Sequence, residues 1–350
     1  MHLKALVLQD FRSYKKKTFS FEPGTATIIG QNAAGKTNIL EALMMLATGK
    51  SFRAGMDREM IRWGSDIGRI TAKTSDTTIE IMLTTGMVSG QKIPLKKFLI
   101  NGVSRRLIDL VGNLRAVLFW PEDLEIVTDS PSIRRRYLDT VLMQVDREYR
   151  RNLLSYERGV RQRNKLLALI QDGKATRNQL LFWNQLLIKT GTEITQKREA
   201  YIAYVNGTKL ADHKMLLEYD KSIISEARLE QYRLEEVAAK STLVGPHRDD
   251  FMIFSETHTH REGRRNLSTC GSRGEQRLAV LWLKLAELSY IEKETGDRPL
   301  LLLDDIFSEL DESHRKLIVA ITEFQQTILT SADKESVPEA ILSKAHQIEL

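Results

Sequence analysis

Residues Gly30-Gln31-Asn32-Ala33-Ala34-Gly35-Lys36-Thr37 follow the spacing G-x-x-x-x-G-K-T. That spacing does one kind of chemistry, the binding of a polyphosphate. The glycines permit backbone shapes that turn consecutive N–H groups toward an anion, and a helix starting there offers its dipole to the same charge. Lys36 reaches the β- and γ-phosphates of ATP and the Thr37 hydroxyl is a ligand for Mg²⁺. A second metal carboxylate is expected, and Asp304 supplies it at the end of the apolar run Leu300-Leu301-Leu302-Leu303, the pattern of a Walker B strand. Asp305 follows at the strand exit, placed to orient an attacking water. Lys36, Asp304 and Asp305 are therefore the catalytic candidates, with Thr37 and Asp304 as metal ligands.

Three further groups carry polar chemistry. Ser272-Arg273-Gly274-Glu275-Gln276 has the S-x-x-E spacing of a capping box opening a long apolar helix. His247, in Gly245-Pro246-His247-Arg248-Asp249-Asp250, reads as a structural hydrogen-bonding residue, with a ligand role as the alternative. His258 and His260 have no carboxylate or cysteine at metal spacing, so no zinc is assigned. Between Pro131 and Lys165, ten basic residues, including Arg134, Arg135, Arg136, Arg147, Arg150 and Arg151, stand against four acids. Such a stripe suits phosphate contacts, but the residues alone read as a solvated helix face.

The elements that must position these groups are legible in outline. Leu3, Ala5, Val7 and Phe11 alternate with more polar neighbours and predict a strand. Ala26–Ile29 is a short buried strand running into the phosphate loop, and 38–46 is an apolar helix leaving it. β-like pieces recur from 67 to 103, with Asn101-Gly102 a hairpin signal. After Trp120 the texture turns helical. Ser130-Pro131 marks a helix start, and Leu138, Leu142, Val145, Tyr149, Leu153, Tyr156 and Val160 fall at threes and fours. That helix is about 50 Å long if unbroken, with Gly159 a point where it can break. The fold class is α/β. Residues 1–120 and 241–350 form a discontinuous P-loop head, and 121–240 a mainly helical insertion.

Composition limits the classes. The 350 residues are 42% hydrophobic and 28% charged, which describes a folded chain. No apolar run nears the ~20 residues that span a bilayer, and Met1-His2-Leu3-Lys4 does not start a signal peptide. One cysteine, Cys270, excludes an intrachain disulfide and fits a reducing cytoplasm. The formal charge of +6 mildly favours an anionic partner.

A serine-glycine helix start some thirty residues before a Walker B strand resembles the signature arrangement of ABC-type ATPases. The resemblance implies that Ser272 and Gly274 meet the γ-phosphate held by another subunit, and that Ser308-Glu309-Leu310-Asp311 is the dimer-contacting loop. Over almost its full length the chain is similar to the RecF family of bacterial recombination-repair ATPases. The matching pieces are Asp10-Phe11-Arg12-Ser13-Tyr14, Gly35 to Ala42, Lys50-Ser51-Phe52-Arg53, Ser130-Pro131-Ser132 with Arg134-Arg135-Arg136-Tyr137-Leu138-Asp139, Gly245 to Asp250, and Leu302-Leu303-Asp304-Asp305.

That resemblance implies an ABC/SMC-like head with a helical second lobe, ATP-dependent dimerisation on double-stranded or gapped DNA, and slow hydrolysis. It further implies help in loading RecA together with RecO and RecR. It brings Arg12 toward the nucleotide, a surface arginine being the alternative, and makes Arg134, Arg135, Arg136, Arg147, Arg150 and Arg151 candidate DNA contacts. Three positions depart from the pattern. Ala33 stands where many such loops have glycine, Thr330 or Ser331 stands where transporters have a switch histidine, and Asp305 replaces their catalytic glutamate. The missing histidine and the basic helical insertion argue against a transporter's nucleotide-binding subunit. A head with nuclease activity would need an added carboxylate cluster that the sequence does not display.

Overall fold

In the computed structural model, β1 (Leu3–Phe11) turns through Arg12 and Ser13 into the antiparallel β2 (Tyr14–Ser20). The structure describes residues 2–210, 214–256, 264–308 and 312–350. β3 (Thr25–Ile29) leads to the phosphate loop and α1 (Lys36–Thr48) leaves it. β4 (Ile67–Thr74), β5 (Thr78–Thr84), β6 (Lys96–Ile100) and β7 (Val103–Arg105) extend the first sheet in the order β2-β1-β4-β5-β6-β7, and β8 (Ala116–Phe119) follows. Asn101 and Gly102 join β6 to β7 with φ of 50° and 77°, the left-handed pair that a two-residue hairpin turn needs. The phase expected for β1 is corrected. Its buried residues are Leu3, Leu6, Leu8 and Phe11, because a register shift between Leu3 and Ala5 moves the alternation by one.

The second stretch carries α2 (Pro131–Val145), α3 (Arg147–Gln171), α4 (Leu181–Gly207), β9 (Met215–Asp220), α5 (Arg233–Ala239), β10 (Asp250–Glu256), β11 (Arg264–Asn266) and α6 (Arg273–Thr295). The long amphipathic run breaks at Asp146, not at Gly159. Asp146 is extended and its carboxylate accepts from the Glu148 and Tyr149 amides at 2.8 and 2.9 Å, capping α3. Gly159 lies inside α3, where a Cβ would come within 2.9 Å of the Leu187 side chain on α4. It is a close-packing glycine.

β12 (Leu300–Asp304), α7 (Glu312–Thr322), β13 (Thr327–Ser331) and β14 (His346–Glu349) complete the chain. They build a parallel sheet in the order β8-β12-β13-β3-β14. β12 and β13 are buried at every position, as central parallel strands are. α1 packs on β4 and β5 of one sheet and on β8, β12 and β13 of the other. A helix covered on both sides must be apolar all round, and every residue from Ile39 to Thr48 is buried.

Two compact units result, Met1–Asp123 with Glu287–Leu350, and Leu124–Ala286. The boundary expected at 240 therefore moves to 286. β10 pairs with β9 from Asp220↔Asp250 to Met215↔Ser255, which ties the chain after 240 to the second unit. The Tyr137 hydroxyl donates to the Leu283 carbonyl at 3.0 Å, holding the first half of α6 there as well. The second unit thus contains a three-stranded sheet besides its helices.

Candidate nucleotide-binding site

The first unit holds the phosphate loop at the end of β3. Gly35, with φ of 104°, precedes α1; a Cβ there would lie 2.9 Å from both the Ser13 and Tyr14 side-chain oxygens. The Tyr14 hydroxyl donates to the Gly35 carbonyl at 3.2 Å, and Asn38 donates to the Ser13 hydroxyl at 3.0 Å. The β1–β2 turn thereby braces the loop. No side chain caps α1 at its N-cap and no acid sits in its first turn, which leaves the helix start to an anion. Gln31, Asn32 and Ala33 are exposed, while Ala34 is half-buried and its amide donates to the Gln31 carbonyl at 3.1 Å. Ala33 has φ of 67°, a left-handed conformation that costs a residue with a Cβ about 1–2 kcal/mol. That strain is the physical content of the alanine-for-glycine departure.

Lys36 is buried, its ammonium donating to the Gly30 and Gln31 carbonyls at 2.5 and 3.0 Å. Across the loop, the Thr37 hydroxyl donates to Asp304 Oδ1 at 3.2 Å. The same oxygen accepts from Thr330 at 2.6 Å. Thr37 and Asp304 present hard oxygen donors side by side, a set that fits Mg²⁺. Asp305 is held at φ of 49°, its amide donating to the Thr330 carbonyl at 3.1 Å. Burial raises its carboxyl above the ordinary range; Lys36 opposes the rise and Asp304 adds to it. The structure therefore brings together Lys36, Thr37, Asp304 and Asp305.

Arg12 is neither free nor simply at the surface. Its guanidinium makes a two-pronged pair with Glu41 at 2.8 and 2.6 Å and donates to the Glu59 carbonyl at 2.8 Å. Glu41, fully buried on α1, also accepts from Ser51 at 2.6 Å and Arg53 at 3.0 Å. Burial alone would raise its pKa, but the bonds from Arg12, Arg53 and Ser51 hold it below the ordinary value. One carboxylate thus joins the phosphate-loop helix to both Arg12 and the Lys50-Ser51-Phe52-Arg53 segment. Sequence reasoning passed over Glu41; the signal was a lone charge inside the apolar run 39–48.

The signature residues lie in the second unit. Ser272 and Glu275 form the expected capping box: the Ser272 amide and hydroxyl both donate to Glu275 Oε2 at 2.8 Å, and the Glu275 amide returns to Ser272 at 3.3 Å. Arg265 pairs with Glu275, and Gln276 is buried, donating to the Leu267 carbonyl at 2.9 Å. Ser272, Arg273 and Gly274 face solvent. Ser308 ends a short 3-10 turn after Asp305; its side chain, with Asp311, His258 and His260, lies outside the described residues.

The arginine group divides, which corrects two of the six candidates. Arg134 is buried and doubly bonded to Asp250 at 2.6 and 2.9 Å. Arg150 is buried and donates to the Met143 carbonyl at 2.8 Å. Arg135 reaches the Asp249 carbonyl at 2.7 Å. Arg134 and Arg150 hold the fold, because their helix phase points inward, while Arg135 is half-buried. Arg136, Arg147 and Arg151 are exposed, as are Arg158, Arg161 and Lys165 further along α3. His247 is structural: its Nδ1 accepts from the Tyr156 hydroxyl at 2.8 Å and its Nε2–H donates to the Thr242 carbonyl at 2.9 Å.

Comparison with known proteins bears on the whole chain. The family described as RecF/RecN/SMC N-terminal domain matches residues 2–348. The DNA replication and repair protein RecF of Herpetosiphon aurantiacus is 38% identical, covering 98% of this chain and 96% of its own. That of Halalkalibacterium halodurans is 35% identical over 99% and 96%. Among solved structures, the recombination mediator protein RecF with ATPrS, of the RecFOR pathway, superposes with a TM-score of 0.84 at 30% identity, covering 96% of this chain and 94% of that one. An Smc head domain from Pyrococcus yayanosii shares the fold at a TM-score of 0.52 and 13% identity, covering 99% of this chain and 94% of that one.

Proposed function

The chain belongs to the RecF family, and from that premise we propose that it is an ATP-switched, DNA-binding protein of recombinational repair whose nucleotide site is completed by a second copy of the chain. The observation that carries the shared site is Gly274. Among the described residues a Cβ there would meet nothing within 4 Å, and its φ is not left-handed, so no described neighbour calls for glycine. Gly274 is the second residue of α6, and glycine in a helix is less favourable than alanine, by up to about 1 kcal/mol in an interior and less in a first turn. A close approach from outside, by a phosphate on a partner, accounts for it, and Ser272 is exposed beside it.

In this reading Lys36 leaves the Gly30 and Gln31 carbonyls for the β- and γ-phosphates, and the loop and α1 amides hold the remaining charge. Thr37 and Asp304 would hold Mg²⁺, which would neutralise charge on the phosphate oxygens. Asp305 orients the attacking water. Its side chain is one methylene shorter than glutamate, which suits a slow switch. The relatives' names, DNA replication and repair protein RecF and recombination mediator protein RecF of the RecFOR pathway, support work in repair with RecO- and RecR-type partners; loading of RecA and a place in the cytoplasm belong to the same proposal. No helix among the described residues is long and apolar enough to cross a membrane. DNA contact is assigned to the exposed cations of α3.

Light scattering with and without Mg·ATP and gapped duplex DNA tests the reading. The wild-type chain should dimerise with ATP. Lys36→Met should stay monomeric, and Ser272→Arg should bind ATP but not dimerise. Mixing the two variants should restore one intact site per dimer. A wild-type chain that stays monomeric with saturating ATP and DNA sinks the proposal.

A further inference from the structure

We propose that Thr330 is a positioning residue for the metal, its hydroxyl holding the Asp304 carboxylate so that Oδ2 is presented to Mg²⁺ or to a metal-bound water. The inference rests on the reading of the phosphate loop as a Mg·ATP site. β13 is inserted between β3, which carries the loop, and β12, which carries Asp304. Asp304 and Thr330 are register partners on the two parallel strands. Thr330 is 1% exposed, so its hydroxyl must find a partner inside the protein. Two acceptors are in reach, the Leu303 carbonyl at 3.4 Å and Asp304 Oδ1 at 2.6 Å. The distances decide between them. The carboxylate bond is in the short, charge-assisted range and the carbonyl contact is at the outer limit.

Oδ1 also receives the Thr37 hydroxyl at 3.2 Å. Two donors on one oxygen fix the rotation of the carboxylate about its terminal bond and leave Oδ2 uncommitted to either. The Thr37 proton can stay on Oδ1 while its lone pair serves the metal, so the pair is compatible with an occupied site. Outer-shell partners of this kind orient the ligand and raise metal affinity, and their loss typically costs 10–100-fold.

The test compares Thr330→Val, which keeps the shape and removes the donor, with Thr330→Ser, which keeps the donor. Electron paramagnetic resonance reads Mn²⁺ affinity in the presence of ATP, and a fluorescent ATP analogue in EDTA reads metal-free binding. Thr330→Val should weaken Mn²⁺ binding about 10-fold or more while metal-free binding is unchanged. Thr330→Ser should stay within about twofold of wild type. Thr330→Ala, which cannot overpack the strand, gives the same readout should valine lower thermal stability. Mn²⁺ affinity at the wild-type level in folded Thr330→Val and Thr330→Ala overturns the inference. Loss of nucleotide binding by the wild-type chain would instead overturn the reading of the loop.

Discussion

Glu41, Asp249 and Asp304 are all buried carboxylates, and each is kept by different partners. Glu41 holds two arginines and a serine beside the phosphate loop. Asp304 collects two hydroxyls that leave room for a cation. Asp249 accepts from Arg198 at 3.1 Å, the Ser222 amide at 2.7 Å and the Tyr219 hydroxyl, a buried network of protein donors. His247 sits beside that network, with Arg135, Arg248 and Asp249 near it, and burial pushes its pKa down to about 4. The sign follows from linkage. Between pH 4 and 6.5 the unfolded histidine is protonated and the folded one is not, so stability falls as pH drops through that window. The loss reaches at most about 3.5 kcal/mol, because each pH unit between the folded and unfolded values is worth roughly 1.4 kcal/mol. Urea midpoints of wild type and His247→Gln between about pH 7 and 4.5 should show a steeper acid loss in wild type. Parallel slopes would mean the imidazole is not held neutral.

At the scale of elements, the Asp146 break sets which arginines reach solvent. Its carboxylate, paired with Lys197 at 2.8 Å, caps the helix that starts at Arg147. On α3 the exposed Arg151, Arg158, Arg161 and Lys165 recur at sevens, threes and fours, one stripe of the helix surface. Tyr149, Leu153, Tyr156 and Leu167 fill the buried face. Each phosphate neutralised on duplex DNA adds about −0.9 to the slope of log K against log salt. Arg151→Ala, Arg158→Ala and Arg161→Ala together should make the slope shallower by up to ~2–3, with ATP binding retained and base preference unchanged. Retention of the wild-type slope would place the DNA surface elsewhere. Arg150→Ala is a different experiment: it removes a buried bond to the Met143 carbonyl and should lower stability rather than the slope.

For the whole molecule, the proposed catalytic groups Lys36, Asp304 and Asp305 and the proposed signature at Ser272 to Gln276 fall in different units of the chain. α6 starts with the signature in one unit and ends in the other. Gly274→Ala separates the needs of the single chain from those of an assembly. Alanine has open space and a better helix propensity, so the monomer should gain about 0.5–1 kcal/mol in urea unfolding. ATP-dependent dimerisation should weaken at the same time, because a methyl group then stands where the partner's phosphate approaches. A variant that gains stability and dimerises as wild type would remove the case for close approach at Gly274.

The phosphate loop, the Walker B strand and the capping box were legible in the sequence because each is local. A loop of fixed spacing, an apolar run ending in acids and an S-x-x-E pair depend on neighbours within a few residues. The Asn101-Gly102 hairpin was legible for the same reason. Tertiary structure alone decided what depends on distant partners. The β9–β10 pairing moved the unit boundary from 240 to 286, since strand texture does not say which strand it pairs with. Packing phase sent Arg134 and Arg150 inward and left Arg151 outside, although all three read alike in a basic run. Glu41 and Thr330 acquired their partners only when Arg12 and Arg53, and Asp304, arrived from elsewhere in the chain. A side chain's type limits the bonds it can make, but its partner is chosen by the fold.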